Sequence, residues 1–354
     1  MKRVIVAPLD WGLGHASRCI PIIRNLLARR CEVAIAGSGD SLTLLRAEFP
    51  SLASVLLPGY DPVYPAKGSM AWKMATQLPH FIKTIADEHR AAEALVTRGG
   101  IDVIISDNRY GFRSSRVPSV FITHQSNIMM PQRFGWLQNV VRQMNHRYIS
   151  KFTRCWIPDL PGKPNLAGDL TYFGNTTGLK VDHIGPLSRF EPGAAPVEKK
   201  YDLVAIFSGP EPQRTLLEEK VVPQLRTSGL RYRVVRGIFS AAAAPEPHQV
   251  NFLTSHELQR VIEASDLVLA RSGYSTVMDM AALRKKVIFI PTPGQTEQQY
   301  LARQLMESGM AFSVQQQDFD LADALEKSGR YSGFTSVPLS HHALDKALDI
   351  ILSH

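Results

Sequence analysis

The chain has 354 residues, 44% of them apolar and 20% charged, and carries a formal net charge of +8 at pH 7. That composition excludes a disordered chain and is enough for two domains with cores of ordinary size. No apolar run approaches the roughly 18–20 residues of a membrane span, and the N-terminal MKRVIVAPLD is interrupted at Asp10 too early for a signal peptide. Cys19, Cys31 and Cys155 are scattered, with no CxxC and no nearby histidine cluster. A disulfide framework and structural zinc are therefore not expected, and a reducing cytoplasm is. The charge is uneven: residues 1–190 hold 23 Lys and Arg against 13 Asp and Glu, and residues 191–354 hold 17 against 19. A basic half beside a near-neutral one suits an anionic partner, a phosphorylated substrate or phospholipid headgroups. No DNA or RNA motif accompanies it, so no nucleic acid is expected.

In chain order, RVIVAPL (3–9) predicts a buried strand, and residues 16–30 have helical spacing through Ile20, Ile23, Leu26 and Leu27. CEVAIAG (31–37) predicts a second strand, followed by a helix from about Ser41 to Glu48. IDVIISD (101–107) and VPSVFITH (117–124) are two more short β-branched runs. From Leu137 to Phe152, the apolar Leu137, Val140, Val141, Met144, Tyr148 and Phe152 recur at helical spacing, with Arg142, Arg147 and Lys151 off that face. Such a helix either packs on its own domain or rests on an anionic membrane surface. RFEPGAAPVEKK (189–200) reads as a linker at the change of charge composition. YDLVAIFSG (201–209), RYRVVRG (231–237), QVNFL (249–253), SDLVLARSG (265–273) and KVIFIP (286–291) then repeat the strand–helix alternation, around a short AAAAPEP loop at 241–247. The pattern predicts an α/β protein of two Rossmann-like, doubly wound parallel-sheet domains facing across a cleft, covering 1–190 and 191–339. A last helix over about 340–354 is expected to pack back on the first domain.

Residues 265–300 are the most informative. A strand ending near Arg271 is followed by the turn SGYST and a helix from about Ser275 to Leu283. Gly273 lets a ligand approach the backbone, Ser272, Ser275 and Thr276 add hydroxyls, and free N–H groups at the helix start suit a diphosphate. Asp279, four residues after Ser275, is a carboxylate able to accept two ribose hydroxyls. In PTPGQTEQQ (291–299), the carboxamides of Gln298 and Gln299 offer the paired donors and acceptors that sugar hydroxyls need.

Arg271-Ser272-Gly273, Thr276, Asp279 and Gln298-Gln299-Tyr300 together resemble the C-terminal domain of family 28 glycosyltransferases, typified by MurG-like N-acetylglucosaminyltransferases. Near the start, Gly12-Leu13-Gly14-His15 is similar to the family's first Gly-rich loop, and THQSN (123–127) to its His-Glu-Gln-Asn signature, keeping His124 and Asn127. The resemblance implies the GT-B architecture, an acceptor bound mainly by the first domain and a UDP-sugar bound by the second. It places Asp279 (a Glu in the type enzymes) on the uridine ribose and Ser272 to Thr276, with Arg271, at the diphosphate. Gln298 and Gln299 go to the donor sugar, and Thr254 and Ser255 to the uracil through their backbone. Gly12, Asp107, Arg109, His124 and Asn127 fall on the acceptor side, and Gly14 near the donor.

Two departures stand out. SDNRYGF (106–112) puts Asp107 where the type enzymes have a second Gly-rich loop for the acceptor's diphosphate, with Arg109 as the residue to offset its charge. FSGPEPQR (207–214) keeps Ser208 and Gly209 for a phosphate, but Pro210 and Pro212 remove two N–H donors. His15, with an ordinary pKa near 6.5, is the candidate general base; its alternatives are to position donor or acceptor, or to cap its helix. Asp10, on the same loop, is expected to orient that imidazole, to act as base itself, or simply to cap the helix. No metal cluster is apparent, since His341 and His342 lie on the tail. Helix dipoles and hydroxyls are therefore expected in place of a cation, with no cofactor. The expected function is inverting, metal-independent transfer of a sugar, N-acetylglucosamine first, from a UDP-sugar to a cell-envelope glycolipid or polysaccharide. It is expected in the cytoplasm, with peripheral contact to an anionic membrane. The alternatives are a UDP-sugar hydrolase of a sialic-acid-like sugar pathway and a non-catalytic sugar-nucleotide-binding module.

Overall fold

The structure, a computed structural model, describes residues 1–63, 76–130, 132–163, 165–173, 178–191, 193, 197–239, 245–334 and 342–353. Parts of the expected linker (192, 194–196) and of the Ala-rich loop (241–244), with His341, lie outside the described residues. The chain separates into two compact units. Unit 1 comprises Met1–Val63 with the described residues of Ala71–Leu187 and Leu339–His354; unit 2 comprises those of Ser188–Pro338.

In unit 1 the elements run β1 (Arg3–Pro8), α1 (Leu13–Ala28), β2 (Glu32–Gly37), α2 (Gly39–Glu48), β3 (Ala53–Leu56), α3 (Leu78–Thr97), β4 (Val103–Asp107), β5 (Ser119–Ile122), α4 (Gln138–Ile149), β6 (Arg154–Ile157) and β7 (Val181–His183). The sheet order is β3-β2-β1-β4-β5-β6-β7, every pairing parallel. Parallel strands covered on both faces need near-continuous apolar runs. Val4 to Ala7 and Val103 to Ile105 supply them and are buried. The order reverses direction between β1 and β4, where Pro8 stands opposite Asp107. Ligands of such sheets sit outside the strand ends at that point.

Unit 2 runs β8 (Tyr201–Ile206), α5 (Gln213–Thr227), β9 (Tyr232–Val235), β10 (Gln249–Val250), α6 (Ser255–Glu263), β11 (Ser265–Ala270), α7 (Tyr274–Ala282), β12 (Lys286–Phe289), α8 (Thr296–Glu307), β13 (Phe312–Ser313) and α9 (Leu321–Ser328). Its all-parallel sheet has the order β10-β9-β8-β11-β12-β13 and reverses between β8 and β11, where Ile206 pairs with Ala270. Leu203, Ala205, Leu269 and Ile288 form its core with Leu217, Val221 and Leu225 from α5.

The last helix, α10 (His342–Leu352), belongs to unit 1 and lies against α1. Asn25 of α1 and Arg29, at its C-terminal cap, both reach Asp345, at 2.8 and 3.0 Å.

The apolar spacing over 137–152 does not make one face. α4 begins at Gln138 after a 3-10 turn and ends at Ile149, so Phe152 lies beyond it and packs on Phe121. Tyr148 turns to Tyr110, whereas Val140 and Met144 are 51% and 57% exposed, and Trp136, just before the helix, 76%. The inward face of α4 is polar: the Asn145 amide donates to the carbonyls of Gln125 (3.0 Å) and Ser126 (3.1 Å).

Candidate functional site

In unit 1, the loop after β1 is shaped by Gly12, which adopts φ +105° before α1. L side chains avoid that conformation, and it turns the chain so that His15 falls in the helix's first turn. β4 ends beside β1, and its last residue, Asp107, therefore meets α1. Asp107 Oδ1 lies 2.8 Å from His15 Nδ1. Arg18, one turn further along α1, clasps the same carboxylate through Nε and NH2. A second nitrogen contact runs from Arg18 NH1 to His124 Nδ1, at 2.8 Å. Arg18, Asp107 and His124 are buried, and His15 keeps 15% of its side chain exposed. Cys19 Sγ stands 3.8 Å from Asp107 Oδ2.

The electrostatics follow. Burial opposes the Asp107 carboxylate, but Arg18 and His15 outweigh it and hold its pKa at about 2. Burial and then Arg18 push the His15 pKa below its ordinary value, with Asp107 offsetting only part. At neutral pH the group is thus an uncharged imidazole on an ionised carboxylate. In the tautomer with the ring proton on Nδ1, that nitrogen donates to the Asp107 oxygen, which only accepts, and Nε2 presents a lone pair; Arg18 NH2 also stands 2.8 Å from Nδ1. That arrangement can take a proton at Nε2 and stabilise the imidazolium that results.

Three expectations for this half need correcting. Asp10 does not orient His15: its Oδ2 accepts from Ser38 Oγ (2.7 Å) and the Tyr60 N–H (3.0 Å), and Asp107 is the orienting acid. Arg109 does not offset Asp107 either. It is fully buried and donates to Glu88 (2.6 Å) and to the carbonyls of Pro8 (2.7 Å) and Pro58 (3.1 Å), and Arg18 neutralises Asp107 instead. Asn127 serves its own loop, its Oδ1 accepting from Gln138 at 2.8 Å. Gly14, within α1, accepts the Ser17 hydroxyl at 3.0 Å.

In unit 2, Ser208 and Gly209 after β8 adjoin Ser272 and Gly273 after β11, because those strands are neighbours. Gly273 caps α7 at φ −68°, a conformation any residue adopts, and no atom lies within 4 Å of where its Cβ would stand. Half-exposed Ser275 and Thr276 flank the helix start. The positive end of its dipole lies at this turn and suits a phosphate.

The residues around this turn differ from expectation. Arg271 is buried and braces the loops from beneath, donating to the carbonyls of Gln213 (2.7 Å), Ile290 (3.1 Å) and Pro291 (3.2 Å) and to Gln316 (2.8 Å). Burial lowers its pKa to about 10. Buried Ser272 donates to the Gln298 carbonyl at 2.8 Å. Asp279 is buried and accepts from Ser188 Oγ (2.7 Å) and Arg189 Nε (3.2 Å). Burial raises its pKa against the pull of that arginine and serine. Thr254 spends its backbone N–H on Glu257 (2.9 Å) as the cap of α6, with Ser255 buried behind it. The Gln298 carboxamide accepts from the Thr292 N–H at 2.8 Å and donates to Gln295, which leaves Gln299 the more open of the pair.

The sequence reading missed Arg18, Glu88 and the Ser188–Arg189 clasp. Arg18 had a signal: a charged residue among Ala16, Cys19 and Ile20 on the buried face of α1, one turn from His15. Among the described residues no group of three or more His, Cys, Asp or Glu is arranged to hold a metal, and no helix is long and apolar enough to cross a membrane.

The model of the glycosyltransferase family 28 C-terminal domain matches residues 213–331. The UDP-N-acetylglucosamine–N-acetylmuramyl-(pentapeptide) pyrophosphoryl-undecaprenol N-acetylglucosamine transferase of Actinobacillus pleuropneumoniae serotype 5b is 45% identical over 332 residues, 90% of this chain and 86% of that protein. This chain belongs to the MurG-like glycosyltransferases of family 28. An uncharacterized glycosyltransferase of Methanosarcina mazei is 25% identical over 333 residues, 87% of this chain and 84% of that one. The crystal structure of Acinetobacter baumannii MurG superposes with a TM-score of 0.55 at 14% identity, covering 100% of both chains, which shows the shared GT-B fold. This glycosyltransferase carries His15 in the first turn of α1, after the β1 loop, and its acid partner Asp107 at the end of β4.

Proposed function

We propose that this glycosyltransferase is inverting and metal-independent, moving N-acetylglucosamine from UDP-N-acetylglucosamine to a cell-envelope glycolipid or polysaccharide. The observation that carries the reading is the 2.8 Å contact of His15 Nδ1 with the Asp107 carboxylate. In the transfer, His15 Nε2 takes the proton of the acceptor hydroxyl as its oxygen bonds to the anomeric carbon. The bond from that carbon to the diphosphate breaks, and UDP leaves with the electron pair. The donor is assigned to unit 2, its diphosphate to the start of α7 with Gly273, Ser275 and Thr276, and its sugar to Gln299. The 45% identical relative is named for the same donor, which supports N-acetylglucosamine.

The acceptor is proposed to be presented at a membrane's cytoplasmic face. The outward side of α4 supports this: exposed Trp136, Val140 and Met144 lie beside Arg142 and Arg147, apolar anchors with cations for anionic headgroups. Sedimentation with phosphatidylglycerol vesicles checks it, and binding should drop when Trp136 and Met144 are replaced by serine.

A thermal-shift panel tests the donor: UDP should stabilise the protein over GDP, ADP and TDP, and no response to any nucleotide removes the reading. Incubation with UDP-N-acetylglucosamine and no acceptor should release sugar only slowly; rapid release identifies a hydrolase. His15→Ala should lower turnover about 10²–10⁴-fold, the usual contribution of a general base, while leaving UDP binding intact.

A further inference from the structure

Arg18, which touches both His15 and His124, takes no part in the proton transfer itself. Arg18 is buried in α1, with Nε and NH2 on the two oxygens of Asp107, NH1 at 2.8 Å from His124 Nδ1 and NH2 at 2.8 Å from His15 Nδ1. A guanidinium has five N–H donors, accepts no hydrogen bond and does not deprotonate in proteins. A ring nitrogen bonded to it must therefore offer a lone pair. His124 does so at Nδ1, which puts its proton on Nε2 and leaves the ring neutral. His15 differs because the same Nδ1 also meets a carboxylate oxygen at 2.8 Å, and once the ring proton is donated to that oxygen Nδ1 has no lone pair left for the Arg18 N–H at 2.8 Å.

We propose that Arg18 is a positioning residue that fixes the two histidines in opposite tautomers, His15 with its lone pair on Nε2 and His124 with its proton on Nε2. Only one ring of the pair can then accept a proton, and the other offers a donor. The inference rests on the reading of His15 as the base, whose efficiency it explains. Buried Cys19, the remaining titratable group beside Asp107, is held as the neutral thiol, so the cluster balances one cation against one anion. Removing Arg18 leaves His15 facing an uncompensated carboxylate, which favours the imidazolium.

The full chain labelled with ¹⁵N-histidine tests this by long-range ¹H–¹⁵N correlation, with His15→Ala and His124→Ala spectra assigning the rings. At pH 7 the wild type should show His15 neutral with the proton on Nδ1, and His124 neutral with the proton on Nε2. Finding the same tautomer in both rings, or an imidazolium in either, overturns the proposal. In Arg18→Gln, and to a lesser degree in Arg18→Lys, the half-protonation point of His15 should rise by about one pH unit, a tenfold gain in proton affinity. An unchanged midpoint in a folded variant also overturns it, since a merely structural arginine would leave the ring's titration alone. Should the variants not fold, the wild-type spectrum decides. Neither spectrum needs turnover, so a His15→Ala enzyme of full activity would remove the base reading while the tautomers still judge Arg18.

Discussion

His15 and Asp107 work as a pair whose roles can be separated by small changes. Asp107→Asn keeps the shape but replaces the accepting oxygen with a group that can donate to Nδ1. The ring is then free to carry its proton on Nε2, where it cannot serve as base. Turnover should fall about 10²–10⁴-fold with UDP affinity unchanged, measured by initial rates and calorimetry. Because burial and Arg18 lower the His15 pKa, the acid limb of the wild-type rate profile should lie below the ordinary histidine value near 6.5. A limb at or above that value would count against His15 as base. On the donor side, Gly273 has ordinary dihedrals and clear space at its missing Cβ, so the fold itself does not demand glycine there. Gly273→Ala should leave the melting temperature nearly unchanged. If a diphosphate lies against that backbone, overpacking of about 1–3 kcal/mol predicts a UDP affinity weakened roughly 5- to 150-fold.

At the scale of elements, the strand–helix alternation was legible because parallel strands buried on both faces must be apolar almost throughout. β1, β2, β4 and β11 announce themselves in this way. β7 and β13, with three and two residues, are too short to carry a pattern. The strand-to-helix turn before α7 was legible as well, since it is one contiguous stretch from Arg271 to Thr276. The His15–Asp107 pair was not, because 92 residues separate its members and only the adjacency of β1 and β4 joins them. The same limit hid the brace beneath the first loop. There Arg109 donates to Glu88 of α3, which also accepts the Tyr60 hydroxyl (2.8 Å) and the Gly111 N–H (3.1 Å). Gly111 permits this approach, as a Cβ there would stand 2.0 Å from the Ile85 carbonyl oxygen of α3. Arg109→Met alone strands a buried carboxylate and should cost about 3–5 kcal/mol in urea unfolding. Adding Glu88→Leu should restore part of that loss, because both buried charges are then gone.

Across the whole molecule, the buried titratable groups give the two units different responses to acid. His15 in unit 1 has a folded pKa below its unfolded one. As pH falls through about 6.5, the unfolded chain takes up a proton that the folded ring resists, and unit 1 loses stability. The Asp107 carboxylate, at about 2 when folded, adds stability that is complete above about pH 4 and is lost as pH falls further towards 2. Glu88 works the other way, because burial raises its folded pKa and acid relieves its cost, though only near the carboxylate range. In unit 2, burial and neighbouring Lys199 push Lys285 down to about 7, so that unit loses stability as pH falls from about 10.5 through about 7, and the lysine is protonated in both states only below about pH 6. Buried Asp279, with a raised pKa, gains rather than loses stability in acid. Samples held at about pH 6 or about pH 5, where Lys285 is protonated in both states, and pulse-labelled by hydrogen exchange at one common pH should therefore lose protection first in peptides from α1 and β4 as the pH is lowered. Those from β11 and α7 should keep their protection. If unit 2 opens first, the charge assignment of the His15 cluster is wrong, since His15 is then not the neutral buried group that acid must charge.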